Sequence, residues 1–188
     1  MKFLVTCLIA TAIAVTLAAL FVYLGAFDVA ADVPHSALTA RLIEAVRDRS
    51  IAVRLNDIQV PTLDDPQLIA EGAEHYAAMC ADCHLAPGVD KTDIRGGLYP
   101  TPPNLTKHIG ANAAEMFWVV KHGIKMSAMP GWGKTHDDHS IWGIVAFLQK
   151  LPELTPEQYQ ALAEPVDQSA HHDHQHSHEH GSGGKHHE

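Results

Sequence analysis

Cysteine is scarce, aromatic residues are few, and no basic run occurs anywhere in the chain. Only 3 cysteines stand among 188 residues, too few for a disulfide framework, and two of them lie close together, which turns attention to a cofactor or metal. With 6% aromatic, 19% charged and 46% apolar residues, the composition suits one globular domain of roughly 100 residues plus appendages and argues against a multidomain enzyme. The net charge is −9. Segments 1–56, 57–154 and 155–188 carry +1, −5 and −5, so the chain lacks the positive footprint that phosphate backbones require, and nucleic acid is not an expected partner. There is no internal repeat, no glycine-rich phosphate loop and no nucleophile triad signature. What stands out instead is histidine, with 15 residues.

Residues 1–31 form the first unit. Phe3 to Phe27 is a run of 25 residues without a charge, longer than the roughly 20 needed to cross a bilayer as a helix. An uncleaved anchor is the expectation. A cleaved secretory signal competes, because Lys2 supplies a minimal positive start and Val29, Ala30 and Ala31 place small residues before a cut site; a buried core helix is the third reading. Lys2 precedes the run while Arg41, Arg47, Arg49 and Arg54 follow it, so charge leaves the orientation open. Either of the first two readings exports the rest of the chain.

Residues 32–63 read as a juxtamembrane amphipathic helix and linker. Ser36 is placed to cap a helix whose apolar stripe is Leu38, Leu42, Ile43 and Val46. That stripe suits either a membrane surface or packing against the globular domain. Val60-Pro61 to Asp65-Pro66 interrupts the periodicity as a linker would, and the folded domain is expected over 64–152.

Asp65 as N-cap and Pro66 at the first helical position begin a helix in which Leu68, Ile69, Gly72, Tyr76 and Met79 recur at helical spacing. It leads into Cys80-Ala81-Asp82-Cys83-His84. Two thiols separated by two residues can reach both vinyl groups of one haem as thioethers, and the adjacent histidine can then ligate the iron. A thioredoxin-like redox pair and half of a zinc site are the rival readings. No βαβ pattern supports the first, and only the histidine-rich terminus could complete the second.

With this pentapeptide, PPNL at 102–105, MSAMPGW at 126–132 and IWGIVAFLQKLP at 141–152, the chain resembles the class I c-type cytochromes, especially small monohaem ones held in bacterial membranes by an N-terminal anchor. The resemblance covers about Asp64 to Pro152. It implies an all-α fold around one covalent haem c, with Cys80 and Cys83 as thioethers and His84 as proximal iron ligand. It further implies that Pro103 offers its carbonyl to His84, although Pro102 replaces the glycine usual before it. A carbonyl on Nδ1 would fix the imidazole tautomer and strengthen the ligand. The distal ligand implied is Met129, just before Pro130, with Met126 chemically equivalent and His108 or His122 as alternatives.

Asn112 and Glu115 suggest a capping box opening a helix that Gly123 ends. Thr135 to Asp138 suggests an N-cap and acidic first turn for a helix with Ile141, Ile144, Val145, Leu148 and Leu151 as its stripe. Close contact between Gly72 and Phe147 or Trp142 of that helix would explain an interior glycine. Residues 153–170 read as a short helix and linker. In 171–188, His171, His172, His174, His176, His178, His180, His186 and His187 stand among polar residues, a composition of disorder with affinity for Zn, Cu or Ni; a solvating tail without metal function is the plainer reading.

The function expected is a membrane-tethered electron carrier without catalytic residues. It would work in the periplasm, at the bacterial inner membrane, between a redox protein donor and a redox protein acceptor. The resemblance supplies the orientation, since bacterial haem attachment of this type occurs outside the cytoplasmic membrane. The rivals are a peroxidase or gas sensor with an open distal site, and a periplasmic metal buffer working through the tail. The sequence leaves the oligomeric state open.

Overall fold

Helix is the only regular secondary structure among the described residues, 1–107 and 109–164, of the computed structural model. In chain order the helices are α1 (Lys2–Tyr23), α2 (Ala37–Ala52), α3 (Pro66–Met79), α4 (Ala81–His84), α5 (Asp93–Gly96), α6 (Ala113–His122), α7 (Asp138–Leu148) and α8 (Pro156–Ala163). Short 3-10 turns, Trp132–Lys134 and Leu151–Glu153, flank α7. His108 and the histidines of 171–188 lie outside the described residues.

Helix α1 has 22 residues, none of them buried, and 18 consecutive ones have a mean hydropathy of 2.5, so its length of roughly 33 Å matches a bilayer core. The apolar run continues to Phe27, but the helix stops at Tyr23 because Gly25, at φ +60°, turns the chain. Ser36 caps α2 by accepting from the Thr39 N–H at 3.2 Å. The apolar stripe of α2 remains exposed, and Ile51 is the residue of this helix that becomes buried.

The core is built by α3, α6, α7 and α8. Asp65 accepts from the Gln67 N–H at 3.0 Å, and Pro66 occupies a turn where an N–H would have no intrahelical acceptor. Helix α3 then crosses α7 at very short range: a Cβ on Gly72 would lie 1.9 Å from the Gly143 carbonyl oxygen. The glycine therefore meets backbone, not Phe147 or Trp142 as its position suggested. Trp142 instead stacks on Phe117 of α6 with centroids 4.0 Å apart. Phe147 packs beside Tyr76, at 5.3 Å, and Tyr159 of α8, at 6.2 Å.

The cap of α7 is Asp137, which accepts from the Ser140 N–H at 2.9 Å. This corrects the reading of Thr135 as the helix start: Thr135 follows a 3-10 turn, and one of the two expected first-turn acids is itself the cap. The Ser140 N–H holds the Asp137 carboxyl below its usual pKa. Asn112 caps α6 through the Glu115 N–H at 3.0 Å, whereas both halves of a capping box occur at Thr155 and Gln158 before α8.

Gly72→Ala should destabilise the domain by about 3 kcal/mol, at the upper end of ordinary overpacking, because the obstacle is backbone that cannot rotate away. Denaturant titration of the full chain checks this; a loss below about 1 kcal/mol would mean that α3 and α7 can separate without penalty.

A candidate haem-attachment site

Helix α3 ends where the CADCH segment begins. Cys80 leaves the helical line at φ −115°, and its carbonyl accepts from the N–H groups of Cys83 at 3.1 Å and His84 at 2.8 Å. This winds Ala81–His84 into a single turn. Cys80 and Cys83, three positions apart, consequently share one side of it. Both are half-buried free thiols, and burial, reinforced by the neighbouring Cys83, pushes the Cys80 thiol up to about 12. A thiol held neutral is a slow nucleophile for disulfide exchange, which proceeds through the thiolate. Among the described residues no group of three or more His, Cys, Asp or Glu side chains is arranged to hold a metal ion.

Several contacts from distant parts of the chain pin this turn. The Thr92 hydroxyl donates to the Asp82 carbonyl, and the Leu105 N–H donates to the His84 carbonyl at 3.2 Å. His84 Nδ1 lies 3.0 Å from the Pro103 carbonyl oxygen, so Nδ1–H donates and Nε2 carries the lone pair. Burial lowers the His84 pKa, opposed by the Pro103 carbonyl and aided by the Arg95 cation. The result is a neutral imidazole, the form that ligates a metal. Asn104 completes the loop by accepting from the Thr106 N–H at 2.9 Å and the Thr106 hydroxyl at 2.7 Å.

Leu85 follows directly and adopts φ 69°, ψ 164°, a region that is essentially the preserve of glycine and costs on the order of 1–3 kcal/mol for other residues. Two features hold it there. Its side chain is 1% exposed, and its carbonyl accepts from the Tyr76 hydroxyl at 2.6 Å. Tyr76 is itself buried, which raises its pKa and keeps the phenol a donor.

The methionine loop lies between α6 and α7. Gly123 ends α6 at φ +67°, where a Cβ would fall 2.6 Å from the Met129 carbonyl oxygen, and a Cβ on Gly131 would fall 2.8 Å from that of His122. The loop can close against the helix end only because side chains are missing at both places. Inside it, the Ser127 hydroxyl donates to the Ile124 carbonyl at 2.7 Å and accepts from the Met129 N–H at 3.2 Å. Met129 is partly buried and packs against the core. Met126, at φ 60°, is 96% exposed. His122 is exposed, with its ring 5.0 Å from that of Trp118.

These residues fit haem c on three counts. The thiols are free and share a side of one turn, and the imidazole has its Nδ1 engaged and its Nε2 available. In addition, the buried Arg95 Nε has no hydrogen-bond partner among the described residues, as expected of a group that awaits an acidic substituent such as a haem propionate. Sequence reasoning did not identify Arg95, Thr92 or the Tyr76–Leu85 bond. The only local signal was Thr92, which caps α5 through the Arg95 N–H at 3.3 Å and so orients that segment.

The family model described as cytochrome C oxidase, cbb3-type, subunit III matches residues 67–148. The matched region is a c-type cytochrome domain, consistent with the class I resemblance, and its all-helical fold agrees. This family implies covalent haem c, and Cys80 and Cys83 have the spacing of its CxxCH motif.

Tyr76→Phe should reduce stability by about 1–3 kcal/mol, since it leaves the buried Leu85 carbonyl unpaired without removing ring volume. The denaturant midpoint should fall with the slope unchanged; an unaltered midpoint would show that the bond does not hold the Leu85 conformation.

Proposed function

We propose that this chain, whose residues 67–148 are a c-type cytochrome domain, is a membrane-tethered periplasmic carrier of single electrons. It would run between a donor dehydrogenase or quinol-oxidising complex and an acceptor such as a terminal oxidase. The observation that carries this reading is the pinned CADCH turn, with His84 Nδ1 bonded to Pro103 at 3.0 Å. Haem c bound there would supply a one-electron Fe(III)/Fe(II) couple.

The chain's own residues would have distinct tasks. Cys80 and Cys83 hold the group through thioethers, each formed by adding an S–H across a vinyl double bond. His84 Nε2 ligates the iron, and the Pro103 carbonyl orients the ring. Met129 would be the second residue to hold the iron: it is partly buried in a loop locked to α6, whereas Met126 is exposed to solvent. With His84 and Met129 both on the iron, no position would be left open for peroxide or a diatomic gas, which favours carrying electrons. Helix α1 anchors the chain with its N-terminus in the cytoplasm, which places the domain outside, where haem is attached. The family match names an oxidase subunit, in keeping with an oxidase as acceptor. The histidine tail binds Zn, Cu or Ni, a role that rests on its composition.

The purified full chain should take up and release one electron reversibly, retain its haem in acidified organic solvent and, when reduced, bind no carbon monoxide at neutral pH. Rapid stoichiometric binding of carbon monoxide would overturn the carrier reading. Met129→His should keep the covalent haem but lower its reduction potential, because thioether ligation favours Fe(II) more than a second imidazole does. Met126→Leu should leave the potential nearly unchanged; the reverse pattern would exchange the two assignments.

Deleting 171–188 should remove most Zn or Ni binding measured by calorimetry at about pH 7.5 without changing the haem spectrum. In the full chain that binding should weaken at about pH 5.5, below the usual imidazole pKa of about 6.5, as protons occupy the ligand nitrogens. Undiminished affinity after deletion would place the site in the folded domain.

A further inference from the structure

Helix α2 has apolar side chains on two sides, and the fold covers one. Toward the domain, Ile51 is 6% exposed and Ala40 is half-buried, where α2 packs against α6. Leu38, Leu42 and Val46, with Val53 just past the helix end, follow at spacings of four, four and seven residues, a single stripe turned well away from Ile51. They are 80%, 64%, 62% and 46% exposed, with Ile43 at the edge of the stripe. A contiguous apolar strip of this kind on a soluble surface marks a contact site.

Three observations identify its occupant. The first is charge. Residues 1–56 sum to +1 in a molecule of −9, and within α2 and the turn after it Arg41, Arg47, Arg49 and Arg54 outnumber Glu44 and Asp48. At helical spacing Arg49 falls within the apolar stripe and Arg41 beside it. A second copy of α2 would therefore meet the stripe with like charges, whereas lipid phosphates would meet it with opposite ones.

The second observation is reach. Helix α1 ends at Tyr23 and α2 begins at Ala37, so the intervening chain spans at most roughly 50 Å, and α2 cannot leave the neighbourhood of the bilayer that α1 enters. The third is attachment. The His35 N–H donates to the Tyr99 hydroxyl at 3.1 Å, and the two rings lie 5.6 Å apart. With Ile51 buried at the other end, α2 is fixed to the domain at both ends.

We propose that α2 lies on the bilayer surface. Its stripe of Leu38, Leu42, Val46 and Val53 enters the boundary between headgroups and acyl chains, and Arg41 and Arg49 reach anionic phosphates with their stems along the apolar surface. This rests on reading α1 as an anchor and goes beyond it. A tether alone lets the domain tumble, while a docked α2 holds it in one orientation on the membrane.

The test uses the full chain with Cys7→Ser, reconstituted in vesicles of phosphatidylcholine and phosphatidylglycerol, with a nitroxide on Leu42→Cys or, as the exposed control off the stripe and off the Ile51 side, on Asp48→Cys. Both positions are exposed, so neither change disturbs the core. The ratio of oxygen to water-soluble nickel-chelate collisions should be severalfold higher at position 42 than at 48. Equal ratios, in a chain that alkaline carbonate does not release from the vesicles, would overturn the docking while sparing the anchor. Release by carbonate would overturn the anchor and the docking with it. Dipolar broadening between labels at position 42 would overturn the lipid as occupant in favour of a second copy of the chain.

Discussion

The contact on which the structure turns is the one between the backbones of Gly72 and Gly143. Because a Cβ on Gly72 would lie 1.9 Å from the Gly143 oxygen, α3 and α7 approach more closely than side chains would permit. Gly72, Tyr76 and Cys80 succeed one another at intervals of four, so they follow one side of α3 as it enters the site. Once the glycines touch, Tyr76 is pressed between Phe147 and Tyr159, and Cys80 is half-buried against the same core. The CADCH turn inherits its position from a contact about two helical turns away.

That position is held against a local penalty. Leu85 occupies a backbone region costing on the order of 1–3 kcal/mol, comparable to the roughly 2 kcal/mol gained by burying a leucine side chain. The bond from Tyr76 to its carbonyl tips the balance. Thr92, Leu105 and Pro103 add contacts from the following loop. A four-residue helix has no stability of its own, so these tertiary bonds give His84 a defined orientation. A held imidazole of this kind would suit the proposed electron carrier, since the supporting groups stay fixed while charge changes.

The methionine loop applies the same device in another place. Gly123 and Gly131 let the loop meet the end of α6 backbone to backbone, and Ser127 ties its interior. Of its two methionines, Met129 is turned inward and Met126 outward. The opposite logic governs α2, where the domain covers Ile51 and leaves the remaining apolar stripe to another surface.

Features that depend on neighbours within a turn or two were legible in the sequence. Ser36, Asp65 and Asn112 could be read as caps because a cap bonds an N–H two or three residues on. The apolar run of α1, the helical periodicities and the CADCH spacing were legible for the same reason. Even locally the margin was about two residues, as Thr135 and Asp137 show. Contacts between distant segments were needed to establish that Gly72 meets Gly143, that Leu85 takes a positive φ, that Arg95 Nε is buried without a partner among the described residues, and that Met129 is covered while Met126 is not. Two methionines three positions apart carry the same chemistry, and Pro130 beside Met129 favours it only through the family resemblance, without showing which side chain is covered. The distinction comes from the fold of the loop between α6 and α7, which depends on residues brought together from separate helices.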